Sequence, residues 1–414
     1  MEQSQEIQVG DQIIVQRQGY TKLHKLKKHG NMVIGKFTVQ MDNIIGQKYF
    51  DTFQMKNYSQ NNKLYILEKV EDGKNVGNAV NIETSGMDNR NIVSDESAQT
   101  LTKDDIDELQ NSELNSNAIV EKLINNSKTF NMKTEYSQEK YIKKKEKKYF
   151  EYLQIRKPTI RLLTNMFYRQ DPTKTLGIRI DDLSQILTYA NIHSDGNHLL
   201  YDSGSSGLMS AAVMNAIGAN TSGTLIHMHP GNECQKNAFL AMQFPEEQTH
   251  RCINVNLYSV LRCFYQNKNS FVDNICNDTE DKSEGEPEPK KAKLDGEPTQ
   301  LTPKEPQWKL DNESACKILN NKCDSLIVTA KEHPVNIVKE LLQFLQGGRQ
   351  MVVFSVTKEP LQDLFIYLKG RLDIIAIKLS NNFLRNYQVL PERTHPEMMM
   401  NTGGFILSAV KLNS

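Results

Sequence analysis

Three short stretches of this chain carry residues that could hold a ligand or do chemistry. The first is Asp202-Ser203-Gly204-Ser205-Ser206-Gly207-Leu208, a Gly/Ser turn between the apolar run HLLYD (198–202) and the small-residue helix pattern LMSAAVMNAIG. Glycines in such a turn let backbone approach a nucleotide-type ligand, and the helix N-terminus behind it can meet an anionic group. An S-adenosylmethionine enzyme typically shows acid-x-G-x-G-x-G here. In this chain Ser206 stands in place of the middle glycine, or one residue is missing. A side chain where cofactor must pass is a steric obstacle, so Asp202, Gly204, Ser206 and Gly207 read as a degenerate cofactor loop. The plainer alternative is a tight strand-to-helix turn with no ligand.

The second stretch ends the apolar run TLIHMHP (224–230). A ribose-binding carboxylate is expected there, but the chain reads His227-Met228-His229-Pro230-Gly231-Asn232, and the first acid is Glu233. His227 and His229 share one face of a strand. No third ligand stands nearby, so they read as part of an ordinary partly buried strand, and no metal is expected. The third stretch, Asn254-Val255-Asn256-Leu257-Tyr258, is read as the end of the fourth strand. A base-methylating enzyme carries D-x-P-x-P-W or N-P-P-Y there, to hold the target nitrogen and accept its proton. This chain offers neither carboxylate nor proline. No catalytic residue is expected.

These stretches need a scaffold. Residues 7–70 hold short β-branched runs (IQVGDQIIVQR, MVIGKFTVQM, KLYILEKV) broken by Gly- and Asn-rich turns, which predicts a small β-barrel domain over 1–82. Residues 83–150 read as a connector. Thr102 with Asp105 suggests a capped helix over roughly 103–111, and AIVEKLI (118–124) a second one. The connector ends in YIKKKEKKY (141–149). From 151 to 414 strand and helix patterns alternate, which predicts a doubly wound parallel sheet. Pro158 is expected at the first position of a helix, and Gly347-Gly348 at the end of another. An acidic, Pro-rich stretch at about 267–306 interrupts this domain and is too polar to order itself. One domain spans the interruption only if strands before 262 and after 325 pair in a single sheet.

The 414 residues hold 50 Lys+Arg and 50 Asp+Glu, a net charge of zero that hides segregation. Residues 83–118 carry nine acids and two bases, and 267–306 carry ten acids and six lysines. The remainder has an excess of 11 positive charges, so the folded body is basic while its connecting segments are acidic. Six cysteines (234, 252, 263, 276, 316, 323) form no C-x-x-C pair, which argues against a zinc ribbon or disulfide framework and for reduced thiols in cytosol or nucleus. No apolar run approaches the ~18 residues of a membrane span. The polar start MEQSQEIQVG has no signal-peptide core. A soluble intracellular protein is expected.

The strings NRNIV (89–93), LTKDDI (101–106), EYSQEKYIKKKEKKY (135–149), KPTIRLL (157–163) and LRNYQVLPERTHP (384–396) resemble a known family. It is the non-catalytic, RNA-binding subunit of the eukaryotic tRNA (adenine-58-N1)-methyltransferase. The resemblance implies an α/β chain: a small N-terminal β-barrel, then a Rossmann-like, methyltransferase-like sheet with a degenerate cofactor site. It implies a separate catalytic subunit that holds S-adenosylmethionine, with none in this chain. It further implies a heterotetramer with two copies of each subunit, tRNA gripped across subunits, and no membrane.

In that context Lys143, Lys144, Lys145, Lys147 and Lys148 are expected to touch RNA phosphates, giving affinity without base specificity. The alternative is a solvated face of a charged helix. Arg385 is the best single RNA contact, since a guanidinium can pair bidentately with phosphate or stack on a base. Asn386, Tyr387 and Arg393 follow it, with core packing the alternative for Tyr387 and Leu390. Lys290, Lys291 and Lys293 have the K-K-x-K form of a nuclear import signal, which suits residence in the nucleus. Two other classes stay open: an active S-adenosylmethionine-dependent RNA methyltransferase with a divergent loop, and a general RNA-binding translation factor.

Overall fold

The computed structural model describes residues 6–58, 64–70, 86, 88–90, 92, 99–102, 104–106, 109, 116–149, 152–266, 305–389, 394–397 and 403–413. The chain divides into two compact units, Met1–Pro158 and Thr159–Ser414.

The first unit is built on β1 (Gln12–Arg17), β2 (Tyr20–Lys25), β3 (Asn31–Ile34), β4 (Phe37–Gln40), β5 (Thr52–Asn57), β6 (Leu64–Lys69) and β7 (Tyr152–Arg156). They form one sheet in the order β2-β1-β7-β5-β6-β4-β3. Neighbours pair antiparallel except β4 with β6. The sheet curls far enough that Lys22 Nζ on β2 donates to the Val33 carbonyl on β3 at 2.9 Å, linking its two edge strands. The interior is closed by Ile13, Val15, Leu26, Val39, Phe53, Leu67, Leu153 and Ile155, all 0–1% exposed. This is the barrel-like domain that the alternating runs predict. Its boundary differs from the sequence reading of 1–82. β7 comes after the whole connector yet pairs with both β1 and β5, so the unit extends to Pro158.

The connector residues 83–150 belong to this first unit. Thr102 and Asp105 exchange the backbone-to-side-chain bonds of a capping box, at 2.8 and 3.2 Å. The helix Ser116–Asn125 buries Ile119, Val120, Leu123 and Ile124, one stripe of its surface. The basic run lies on the helix Glu135–Tyr149, where Gln138 Nε2 donates to the Phe130 carbonyl at 2.9 Å.

The second unit holds β8 (Asn197–Asp202), β9 (Thr224–His229), β10 (Cys252–Asn256), β11 (Cys323–Thr329), β12 (Leu345–Ser355), β13 (Ile374–Asn381) and β16 (Phe405–Lys411). Their order is β10-β9-β8-β11-β12-β16-β13. All pairs are parallel except those made by β16, which runs antiparallel to both neighbours. The strand hydrophobics alternate between two cores. Leu199, Ile226, Leu326 and Val353 face one, and Leu200, Leu225, Ile327 and Val352 face the other. Both faces are therefore covered, as a doubly wound sheet requires.

The pairing that decides domain unity is β8 with β11, Leu199 opposite Leu326 and Tyr201 opposite Val328. The acidic insert, outside the described residues over 267–304, therefore interrupts one domain. Two helix ends differ from expectation. Thr159, not Pro158, stands at the start of the helix Ile160–Gln170, its side chain accepting from Leu162 N at 3.3 Å. Gly347 and Gly348 lie inside β12, because the preceding helix stops at Leu341 and a 3₁₀ turn follows.

Candidate functional site: a filled cofactor cradle

The strand order reverses between β8 and β11, so the carboxyl ends of β8 and its neighbours form the crevice where a doubly wound fold places ligands. A small cavity of about 140 Å³ lies there, lined by Asp202, Ser203, Gly204, His227, His229 and Glu233 among others. Ligand sites are commonly ~300–1,000 Å³.

The loop after β8 spends its donors on the protein itself. Asp202, 5% exposed, accepts from Gly204 N at 3.0 Å and Ser205 N at 2.9 Å, and the Ser205 hydroxyl donates to its other oxygen. Ser206 N donates to the Gln235 side-chain oxygen at 3.1 Å. Leu208 N donates to Ser205 O, and Met209 N to Ser205 Oγ, both at 3.1 Å. Leu208 and Met209, at the start of the helix Leu208–Ile217, thus have their amides engaged.

The space above the loop is filled too. A Cβ on Gly204 would stand 3.1 Å from Lys331 Nζ, and one on Gly207 would stand 2.8 Å from Gln235 O and 3.0 Å from Lys236 Cα. Gly207 has φ +76° and Ser206 φ 56°, a left-handed pair that turns the chain into the helix. Ser206 Oγ donates to Lys174 O at 2.7 Å, so the side chain that replaces a glycine ties the loop to a neighbouring segment. The residues present do not fit a nucleotide-type cofactor.

Beneath the cavity lies a buried polar knot. His227, 1% exposed, donates from Nδ1 to Asn254 Oδ1 at 3.0 Å, and its Nε2 is 3.8 Å from Asp202. Burial pulls this imidazole below its usual value of 6.5. Cys234 Sγ stands 3.3 Å from both His227 Nδ1 and Asn254 Oδ1, and burial pushes the thiol up to about 12. A thiol so disfavoured as thiolate is a weak nucleophile at neutral pH. The Asn254 side-chain oxygen is thus turned toward His227 and Cys234. Among the described residues, no group of three or more His, Cys, Asp or Glu side chains is placed to hold a metal.

The strand carrying Asn254 needs correction. β10 is the second strand outward from β8, beyond β9, and forms the sheet edge. The strand on the other side of β8 is β11, whose end reads Thr329-Ala330-Lys331-Glu332-His333-Pro334. That end does carry a carboxylate, but Glu332 lies by the buried Tyr201 hydroxyl, which burial and then this carboxylate hold above its usual range. Lys331 lies against Gly204. Glu233 lines the cavity, although it comes late for a ribose acid. Gln235, Lys331 and Glu332 were not singled out from the sequence. The only signal was their place just after β9 and β11.

The Gcd10p family model matches residues 6–298. A mouse protein named tRNA (adenine(58)-N(1))-methyltransferase non-catalytic subunit TRM6 is 32% identical, over 96% of this chain and 87% of its own length.

The chain belongs to the Gcd10p family.

A Dictyostelium discoideum relative with the same printed name is 30% identical to this Gcd10p family member, over 98% of this chain and 79% of its own. Among solved structures, an S-adenosylmethionine-dependent O-methyltransferase from Thermotoga maritima superposes with a TM-score of 0.51 at 12% identity. That match covers 99% of this chain and 96% of that one. At such identity the likeness concerns the fold, and the fold it shows is the Rossmann-like methyltransferase fold.

The remaining sequence candidates of this Gcd10p family chain fall in different places. Lys143 is ion-paired with Glu139 at 2.7 Å, and Lys145 Nζ lies 5.3 Å from the Tyr141 ring. Lys144 is exposed. The side chains of Lys147 and Lys148 lie outside the described residues, as do Leu390, Arg393, Lys290, Lys291 and Lys293. Arg385 is exposed on the segment leading from β13 into a small hairpin, β14 (Tyr387–Val389) with β15 (Thr394–Pro396). Asn386 O accepts from Glu397 N at 2.9 Å, at the root of that hairpin. Tyr387 is 53% exposed, so core packing is excluded for it. Phe383, Leu384 and Val389 are exposed beside it.

Among the described residues no helix is long and apolar enough to cross a membrane.

Proposed function

We propose that this chain is the non-catalytic, tRNA-binding subunit of a tRNA N1-methyladenosine-58 methyltransferase. In this reading it works by holding RNA and by assembling with a catalytic subunit, two of each. S-adenosylmethionine is bound by the partner alone. The observation that carries the proposal is the filled cradle: Ser206 N is satisfied by Gln235, and Gly207 sits under Gln235 and Lys236, in a chain of the Gcd10p family. A divergent but active methyltransferase is disfavoured by the same contacts, since cofactor entry needs the space that Gln235 and Lys331 take up.

RNA contact is assigned to the helix Glu135–Tyr149, through Lys143, Lys144, Lys145, Lys147 and Lys148, and to the hairpin through Arg385, Asn386 and Arg393. Exposure of Arg385 beside Tyr387 supports this, because an aromatic ring and a guanidinium both offer a flat face to an unpaired base. Lys290, Lys291 and Lys293 are assigned to nuclear import on their K-K-x-K form. The test is co-expression with the catalytic subunit. The expected result is a stable complex that methylates tRNA, while the chain alone does not. Methylation by the chain alone, or no complex, overturns the reading.

A further inference from the structure

The lysine run on the helix Glu135–Tyr149 is not the only dense basic element of the first unit. Residues 22–30 read KLHKLKKHG, from β2 into the connection to β3. Lys22 is occupied, its Nζ bonded to Val33 O across the sheet closure. The side chains of Lys25, Lys27 and Lys28 are exposed and make no hydrogen bond or ion pair among the described residues. Lys143, by contrast, is held by Glu139.

The segment that displays these three cations is fixed. Leu26 between them is fully buried in the barrel core. Its backbone N donates to Asp11 O at 2.8 Å, and its carbonyl accepts from Gly10 N at 2.9 Å. The next turn closes with Gly30 N donating to Lys27 O at 3.0 Å, so tightly that a Cβ on Gly30 would meet that oxygen at 2.8 Å. His29 stands at φ 56°, with its backbone N held by Asp42 Oδ1 at 2.7 Å. The nearby acids are engaged as well. Asp42 takes His29 and the Gln40 side chain, and Asp11 takes Tyr49 OH and Gln8 N. A local positive field is felt by His24, whose imidazole is lowered by burial and then by Lys22 and Lys27.

We infer that Lys25, Lys27 and Lys28 form a second, preorganised phosphate-contacting surface for RNA, on the turn between β2 and β3. The inference rests on the reading of this chain as a tRNA-binding subunit and names a site that reading did not include. Lysines are point charges that meet phosphates without reading sequence. The turn exposes no apolar side chain, since Leu26 is buried, and so lacks the anchor that protein-docking surfaces use. RNA is therefore favoured over an acidic protein face.

The experiment is tRNA binding by the reconstituted complex over a salt series, with wild type, Lys25→Ala/Lys27→Ala/Lys28→Ala, and the matching Lys→Arg triple. Each lost phosphate contact lowers the slope of log affinity against log salt by about 0.7–0.9. The Ala triple is expected to lower it by about 2, and the Arg triple to keep it. Melting temperature is expected to hold, because none of the three side chains has a partner among the described residues. An unchanged slope in the Ala triple overturns the inference while leaving the tRNA-binding reading intact. Loss of assembly with the catalytic subunit, seen by size-exclusion chromatography, also overturns it and makes the turn a protein-docking surface. Absence of salt-dependent tRNA binding in the wild-type complex overturns the parent reading instead.

Discussion

The side-chain oxygen of Gln235 accepts the backbone N–H of Ser206 at 3.1 Å. In a working cofactor loop that amide faces the ligand. Here a residue from the connection after β9 reaches back over the loop and takes it, while the Gln235 carbonyl and Lys236 Cα crowd Gly207. The doubly wound fold is present, and its Gly/Ser loop is covered by its own chain.

Gly207→Ala tests how tightly that filling is built. The residue sits at φ +76°, and the new Cβ would meet Gln235 O at 2.8 Å. Strain at such a position costs about 1–3 kcal/mol. Urea unfolding of the second unit's core is expected to shift down by that amount. No shift would mean that the Gln235 segment moves freely and the cradle can open.

Much of this was legible in the sequence, for physical reasons. The doubly wound sheet showed through because β8, β9 and β11 are short apolar runs separated by helix-period segments, and the small barrel through its alternating strands. The degenerate loop showed through because Ser206 is a local departure from a local pattern. Spatial strand order did not. Asn254 was read as ending the fourth strand because β10 precedes the insert, yet β8 is flanked by β9 and by β11, and β11 lies beyond the insert. Strand neighbours are set by long-range pairing, which periodicity does not encode. β7 was assigned to the wrong domain for the same reason. Gln235 and Lys331 act across the fold, so no local spacing marks them.

A pH dependence follows from His198. This imidazole is fully buried, 2.8 Å from Ser325 Oγ and 3.0 Å from His193 O, and burial lowers it from 6.5 to about 4. Its folded-state pKa is depressed, so the unfolded chain binds the extra proton first. The stabilisation is complete above about 6.5 and is lost as pH falls toward about 4, up to about 3 kcal/mol in all. Urea midpoints measured across that window are expected to fall with pH, and His198→Asn is expected to flatten the slope. An equal slope in the variant would contradict the assignment.

The segment that carries Arg385 leaves β13 through a buried network. Arg179 Nη2 donates to Asn382 O at 3.1 Å and to Asp181 at 2.6 Å, and Asn382 Nδ2 donates to buried Asp182 at 2.9 Å. Arg179→Met leaves Asp182 without its cation and is expected to cost about 3 kcal/mol in thermal unfolding. Arg385→Ala is expected to leave stability and assembly alone and to weaken tRNA binding by about 1–3 kcal/mol. Dissociation of the complex by Arg385→Ala would make the hairpin a subunit contact.

Deleting residues 270–303 is expected to leave the melting temperature and the tRNA methylation of the complex nearly unchanged, because the sequence there is too polar to be expected to build a core. β8 and β11 pair on either side of it. Nuclear accumulation of the tagged chain is expected to fall, since Lys290, Lys291 and Lys293 are removed. An unchanged nuclear signal, with import on the partner excluded, would remove the import assignment.

The central claim is that cofactor binding belongs to the partner alone. Isothermal titration of S-adenosylmethionine into the purified chain, and then into the reconstituted complex, tests it most directly. No heat of binding is expected from the chain alone, and one cofactor per catalytic subunit from the complex. Micromolar binding by the chain alone, or two cofactors per pair of subunits, would contradict it and show that the contact between Gln235 and Ser206 opens to admit a ligand.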